Sequence, residues 1–287
     1  MATDAEAGPR LSELLRTAAA RLAQGGVDDP PREASRIWAD LTGTSPGDTR
    51  RESDRPVAGE VLERFRSAIV RRAAGEPLPY VTGLAGFRML TLRADRRALI
   101  PRPETEGLVE LVLAQAPTGR VVDVGTGSGC IALALAQEGR YDSVVAVDRS
   151  AEALALAREN RQLTGIGIEL VRADLLDGFA PGAFDVIVSN PPYLTALEYE
   201  SLDAAVHDWE PRAALPSGED GLNATRRLIL EAAGQLRHGG LLALEVDASR
   251  AEEVAALGRT PGWTGVTVHH DLFGRARYVL ARRSEFS

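Results

Sequence analysis

Val121-Val122-Asp123-Val124-Gly125-Thr126-Gly127-Ser128-Gly129-Cys130-Ile131 runs from an apolar strand, through three alternating glycines, into an apolar helix. Glycines at such a junction let the backbone turn sharply and approach a ligand with no Cβ in the way. A tight strand-to-helix turn without a ligand would look the same, so the following strand has to decide. Val144-Val145-Ala146-Val147 ends at Asp148, roughly twenty residues beyond the loop, where a carboxylate can accept from both hydroxyls of a ribose. The competing role, capping the next helix, falls more naturally to Ser150. Together the two strands point to a nucleoside-containing cofactor on a doubly wound sheet.

The glycines at 125, 127 and 129, with Cys at 130, depart from the G-x-G-x-x-G spacing that seats a dinucleotide pyrophosphate on a helix N-terminus. Asp123 would oppose a pyrophosphate, whereas a sulfonium cation with an amino-acid tail tolerates that charge. After the third strand, Asp174 is placed to accept from an adenine amino group, with Leu175 against the ring. Asp174 as a solvated loop acid remains the alternative.

Outward from this core, apolar runs at 120–124, 143–147, 168–171, 185–189, 240–245, 265–269 and 277–281 read as seven strands, with helices at 131–138 and 151–161 between the early ones. Strands alternating with helices predict right-handed crossovers and a mostly parallel sheet covered on both faces, a Rossmann-like α/β fold. The connection between the last two strands is too short for a helical crossover, so they should pair antiparallel. Upstream, Leu11, Leu14, Leu15, Ala18 and Leu22 recur at helical spacing before Gly25-Gly26. A second helix is expected over 32–41, a loop from Gly43 to Pro56, and a third helix over 57–74 with Val61, Phe65, Ile69 and Val70 on its apolar face. Phe87, Met89, Thr91 and Leu92 suggest short strands in a linking hairpin somewhere between Tyr80 and Pro101. The expected organisation is a helical recognition domain over 1–75, a hairpin linker over 76–103 and a catalytic domain over 104–287.

Charge narrows the function classes. The first hundred residues carry 16 arginines against 14 acids and the remainder 17 against 27, with no lysine anywhere. An acidic catalytic half disfavours direct nucleic-acid binding, which relies on a basic stripe. One cysteine and four histidines leave neither a disulfide framework nor a zinc cluster to assemble, consistent with a cytoplasmic enzyme without a metal. The polar start from Met1 to Pro9 does not read as a secretory leader, and no apolar run approaches membrane-spanning length.

The fourth strand ends in Ser189-Asn190-Pro191-Pro192-Tyr193. Two prolines remove two donors and fix φ, so the segment is stiff and leaves the sheet. Ligands in doubly wound folds sit beyond the carboxyl ends of strands at the topological switch. The first and fourth strands should flank it, which sets the tetrad beside the glycine loop. An amide or ring-conjugated amino nitrogen is a poor nucleophile. Asn190 Oδ1 and the Pro191 carbonyl could each accept one of its N–H groups, directing it at a methyl donor, while Tyr193 stacks on the planar group.

With that tetrad and Asp123–Gly129, the chain resembles amino methyltransferases acting on adenine, cytosine or glutamine. Gly75-Glu76-Pro77-Leu78, Ile100-Pro101-Arg102-Pro103-Glu104-Thr105-Glu106, Glu210-Pro211-Arg212, Glu219-Asp220-Gly221-Leu222 and Asp271-Leu272-Phe273-Gly274-Arg275 make it similar to the HemK/PrmC family, the N5-glutamine methyltransferases of peptide-chain release factors. The resemblance implies S-adenosyl-L-methionine as cofactor and the glutamine of the release factors' Gly-Gly-Gln motif as target. By position it assigns Asn190, Pro191, Pro192 and Tyr193 to catalysis and substrate. It assigns Gly125, Thr126, Gly127, Ser128, Gly129, Asp148, Asp174, Leu175, Asn190 and Thr105 to the cofactor, and Phe87 to the substrate pocket. Leu175 stands where relatives often carry an aromatic. A glutamine on a ribosomal protein, or an adenine or cytosine of DNA, are the rival targets. Ser284 to Ser287 extend past the last strand and are expected to be either a disordered end or a non-native remnant.

Overall fold

In a computed structural model, residues 8–201, 208–211 and 217–285 are described. Arg212 of the Glu-Pro-Arg stretch and the terminal Phe286-Ser287 lie outside them. The chain divides into two compact units, residues 1–84 with 203–209, and residues 85–202 with 210–287.

In the first unit, α1 (Leu11–Gln24), α2 (Pro30–Thr42) and α4 (Glu60–Ala73) surround one apolar cluster. Leu11, Leu14, Ala18 and Leu22 of α1 are buried, one stripe of a 3.6-residue period. Trp38 of α2 meets Phe65 of α4 edge-to-face with centroids 5.5 Å apart, and Arg72 bonds Glu33 at 2.7 Å. Three expectations need correction. Val70 is 46 % exposed, because the inward stripe of α4 is Leu62, Phe65 and Ile69, and position 70 lies about 100° round the helix from 69. The segment read as loop contains α3 (Pro46–Arg51). Ser45 Oγ accepts from the Asp48 amide at 3.1 Å, and Asp48 Oδ2 accepts in return from the Ser45 amide at 3.2 Å. That capping box, with Pro46 at the first helical position, starts a helix inside a composition that otherwise signals a turn. Tyr80 lies in a short helix, α5 (Leu78–Thr82), closed by Gly83 at φ +76°.

The hairpin follows as β1 (Leu84–Phe87) and β2 (Leu90–Arg93). Met89 sits in its turn, 82 % exposed, and is not a strand residue. After α6 (Pro103–Gln115), a helix the strand pattern did not reveal, come β3 (Thr118–Val124), α7 (Cys130–Glu138), β4 (Arg140–Asp148), α8 (Ala151–Thr164), β5 (Glu169–Arg172), β6 (Phe184–Ser189), α9 (Ala196–Glu200), α10 (Asn223–Gln235), β7 (Leu236–Glu245), α11 (Ala251–Gly258), β8 (Trp263–His270) and β9 (Ala276–Arg283). The seven strands run β5-β4-β3-β6-β7-β9-β8. The first five are parallel; β9 lies antiparallel between β7 and β8. Several strands extend further N-terminally than their apolar runs. The first residues of β3 and β4 are half-exposed or exposed, so hydrophobicity marks only the inner half.

Successive residues of β3 face opposite cores. Val121 joins Leu108, Val112 and Leu133 on one face; Val122 and Val124 join Ile187, Leu228 and Val254 on the other. Each such side chain, fully buried, contributes roughly 1.5–3 kcal/mol. The chain moves from β3 outward to β5, then returns to β6 on the other side of β3. The topological switch therefore lies between β3 and β6, and their ends are tied where Ser189 Oγ donates to the Val124 carbonyl at 2.6 Å. No helix among the described residues is long and apolar enough to cross a membrane.

Candidate active site

At the carboxyl ends of β3, β4 and β6 a cleft of ≈ 470 Å³ opens, walled by the glycine loop, Asp148, Asp174, Leu175, Asn190 and Pro192. The loop adopts the shape its glycines permit. Gly127 has φ +56° and Gly129 φ +84°, and a Cβ at Gly129 would sit 3.3 Å from the Ala157 Cβ. A side chain there would be strained on both counts. The Gly125 and Thr126 amides donate to the Val147 carbonyl at 2.8 and 2.9 Å, which ties the loop to the end of β4. Buried Asn160 on α8 accepts from the Arg93 amide at 2.6 Å and donates to the Ser128 carbonyl at 2.9 Å, bracing the loop against the hairpin.

Asp148 reaches the cleft from the end of β4, where its Oδ2 accepts from the Gly127 amide at 3.0 Å and its Oδ1 from the Ser150 amide at 2.9 Å. Ser150, as expected, caps α8 by accepting from the Ala153 amide at 3.1 Å. Asp123 corrects the reasoning from charge. It is fully buried beneath the loop, accepting on Oδ2 from the Thr126 hydroxyl at 2.5 Å and the Ala132 amide at 3.2 Å. Burial foremost, and the nearby Asp148 charge, push its pKa up to about 7. The carboxyl props the loop and does not confront a ligand, so discrimination against a pyrophosphate rests on loop spacing and not on this group.

Asp174 lies on the cleft wall with Leu175 beside it, and its Oδ2 accepts from Arg227 at 2.8 Å. Leu175 holds φ +52°, a left-handed backbone unusual for a non-glycine residue. Asn190 sits half-buried at the end of β6, its Nδ2 donating to Thr105 Oγ1 at 3.3 Å. Pro191 is buried, Pro192 lines the cleft, and Tyr193 does not. Burial and the neighbouring Glu245 push the Tyr193 hydroxyl up to about 12, so it stays neutral. Phe87 is 1 % exposed inside the apolar cluster and is not brought to the cleft. An aromatic on a four-residue strand satisfies the core before it satisfies a ligand.

Sequence reasoning missed the wall made by Arg96 to Arg102 and by Asn223 and Arg227. It also missed Glu245, 1 % exposed at the end of β7, whose position at a strand's carboxyl end was the available signal. Arg102 of the Ile-Pro-Arg-Pro stretch pairs with buried Glu210 of the Glu-Pro-Arg stretch, joining two motifs about a hundred residues apart.

Residues 13–83 match the PrmC N-terminal domain family and residues 104–207 the Methyltransferase small domain family. Among solved structures, a methyltransferase from Pyrococcus furiosus superposes with a TM-score of 0.51 at 22 % identity, covering 67 % of this chain and 87 % of that one; it shares the fold. Release factor glutamine methyltransferase of Deinococcus radiodurans is 42 % identical across 96 % of this chain and 99 % of its own length. That of Cereibacter sphaeroides is 41 % identical across 95 % and 98 %. Likeness at this level, end to end in both directions, makes the chain a member of the release factor glutamine methyltransferase family.

Proposed function

We propose that the protein transfers a methyl group from S-adenosyl-L-methionine to the side-chain amide nitrogen of the glutamine in the Gly-Gly-Gln motif of class I peptide-chain release factors. The observation that carries this reading is the placement of Asn190 and Pro192 on the same cleft as the glycine loop and Asp148. The residues present fit the cofactor. The loop offers a close backbone approach, Asp148 a carboxylate for ribose hydroxyls, and Asp174 with Leu175 an acceptor and an apolar surface for adenine. Thr105 lines the same cleft, and the methionine end is assigned to it. The cofactor supplies an electrophilic methyl on a sulfonium.

The chain's own residues supply the rest. Asn190 Oδ1 and the backbone carbonyl of Pro191 accept the two N–H groups of the glutamine amide. They hold its nitrogen in line and stabilise the positive charge that develops as the nitrogen pyramidalises. Pro191 and Pro192 make these acceptors stiff, so little reorganisation is needed at the moment of reaction. Tyr193, neutral at working pH, takes no proton. No strong base is required, because a methylated amide cation sheds its proton readily. A substrate in translation would place the enzyme in the cytoplasm. With an acidic catalytic half, DNA is the less favoured acceptor. Incubation with labelled cofactor and either intact release factor or duplex DNA tests the reading: label on one glutamine of the factor is expected, and label on DNA would sink it.

Asp148→Ala is expected to weaken binding of S-adenosylhomocysteine by roughly 1.5–3 kcal/mol, the loss of two charge-assisted hydrogen bonds. Titration calorimetry is the check, and an unchanged affinity would leave Asp148 a brace for Gly127 and Ser150 only.

We further assign release-factor docking to the helical region at residues 1–75. Removing it should leave cofactor binding in place, since every proposed cofactor contact lies beyond residue 104, while activity on intact factor falls at least tenfold. Equal activity of the truncated and full chains on the intact factor would overturn that assignment.

A further inference from the structure

Glu245 ends β7 beneath the cleft, 1 % exposed, with Oε2 buried and unpartnered. Thr105 is the side chain whose hydrogen bonding favours the ionised form of that carboxyl, and its Oγ1 accepts from Asn190 Nδ2 at 3.3 Å. The three side chains form a line from a buried acid to the amide that faces the substrate. An asparagine amide has two ends, one acceptor and one donor, and nothing in its shape decides which end faces a ligand. The target nitrogen carries two N–H groups, so only the oxygen end is useful to it.

We infer that Glu245 is a positioning residue, which through Thr105 locks the Asn190 amide with its oxygen towards the substrate. An ionised carboxylate can only accept, so it takes the single Thr105 hydroxyl proton. Thr105 Oγ1 is then left as an acceptor, and it takes Asn190 Nδ2. If Glu245 is protonated, it donates to Thr105 Oγ1, the hydroxyl proton is released towards Asn190, and the amide is free to flip its oxygen away from the cleft. This device rests on the proposed reading of Asn190 as the acceptor for the substrate amide.

The device is sensitive to pH. Burial foremost raises the pKa of Glu245 to about 7, Thr105 and the Arg277 and Arg102 charges opposing it and Glu104 adding to it. Tyr193 and Tyr278 also feel its charge, as does the Cys130 thiol, though burial raises the pKa of all three and leaves them neutral. The active form is the ionised one, so turnover is present above about pH 7 and lost below it. Asp123 titrates in the same range, but it sits under the cofactor loop and should act on the KM for cofactor.

The test uses the full-length enzyme, saturating cofactor and intact release factor, with kcat measured from pH 5.5 to 9. Glu245→Gln is isosteric, but its neutral amide offers Thr105 a donor end as well as an acceptor end and no longer enforces the direction of the Thr105 proton, so kcat should fall at least tenfold, on the order expected for partial loss of one preorganised acceptor. Its acid limb near pH 7 should vanish while the KM for cofactor stays within about twofold. Thr105→Val should lower kcat similarly, and Thr105→Ser should restore most of it. This pair decides the matter should Glu245→Gln not fold. Wild-type kcat and an unchanged acid limb in Glu245→Gln, or wild-type kcat in Thr105→Val, would overturn the inference. Failure of the wild-type enzyme to label release factor would instead overturn the assigned reaction, whatever the variants do.

Discussion

Asn190→Ala is expected to lower methyl transfer to release factor by about 10²–10³-fold, while the fold and cofactor affinity change little. The side chain stands half-buried at the rim of β6 and makes one long hydrogen bond, 3.3 Å, to Thr105. It belongs to neither apolar cluster of its unit, so its removal opens no core cavity and should cost at most about 1 kcal/mol of stability. Its proposed work in the chemical step is on the target nitrogen, where loss of a preorganised acceptor costs that factor in kcat. The loss should appear in kcat more than in the KM for either substrate, because the interaction strengthens as charge develops. Thermal melting, calorimetry with S-adenosylhomocysteine and single-turnover rates separate the three quantities. Near-normal turnover would remove the Asn-Pro-Pro-Tyr segment from the chemistry.

The centre of this molecule was legible in its sequence because signals that are ambiguous singly agreed with one another. Alternating apolar strands and helices, with a short final connection, lead to the parallel sheet and the antiparallel last pair. Glycines 125, 127 and 129 adopt the positive φ their spacing suggests. Asn190 ends the strand next to β3, because the order of chain return puts the switch point there. The failures arose where two signals competed. Pro46, Gly47 and Asp48 read as turn residues until Ser45 is seen to cap them. Val70 satisfies hydrophobicity but not the 3.6-residue stripe. Phe87 follows a family likeness to the pocket, yet its ring is spent on the core. Glu245 was passed over because an acid closing an apolar run looks like no more than the end of a strand, although a strand's carboxyl end is where such a fold builds its site; its 1 % exposure reveals a buried carboxyl.

The substrate itself gives the other large effect. If the cleft reads a glutamine amide, Asn190 Oδ1 and the Pro191 carbonyl sit at a depth matched to that side chain. They hang from β6, whose Ser189 is tied to β3, so they cannot follow a shorter group inward. Replacing the Gly-Gly-Gln glutamine of the release factor with Asn withdraws the nitrogen by one methylene. A misplacement of about 1 Å from attack geometry costs on the order of 10²-fold in rate. Replacement with Glu is more severe in kind. It presents an anionic acceptor to two acceptors, leaving both unpaired and repelled, and it offers no nitrogen to methylate. Wild-type factor should carry one methyl on one glutamine, the Asn variant a trace and the Glu variant none, as read by mass spectrometry of the labelled peptide. Incorporation into the Glu variant, or at a second glutamine of the wild-type factor, would mean that the cleft does not select the Gly-Gly-Gln amide. Methyl transfer itself would stand, and another protein amide would have to be sought as the acceptor.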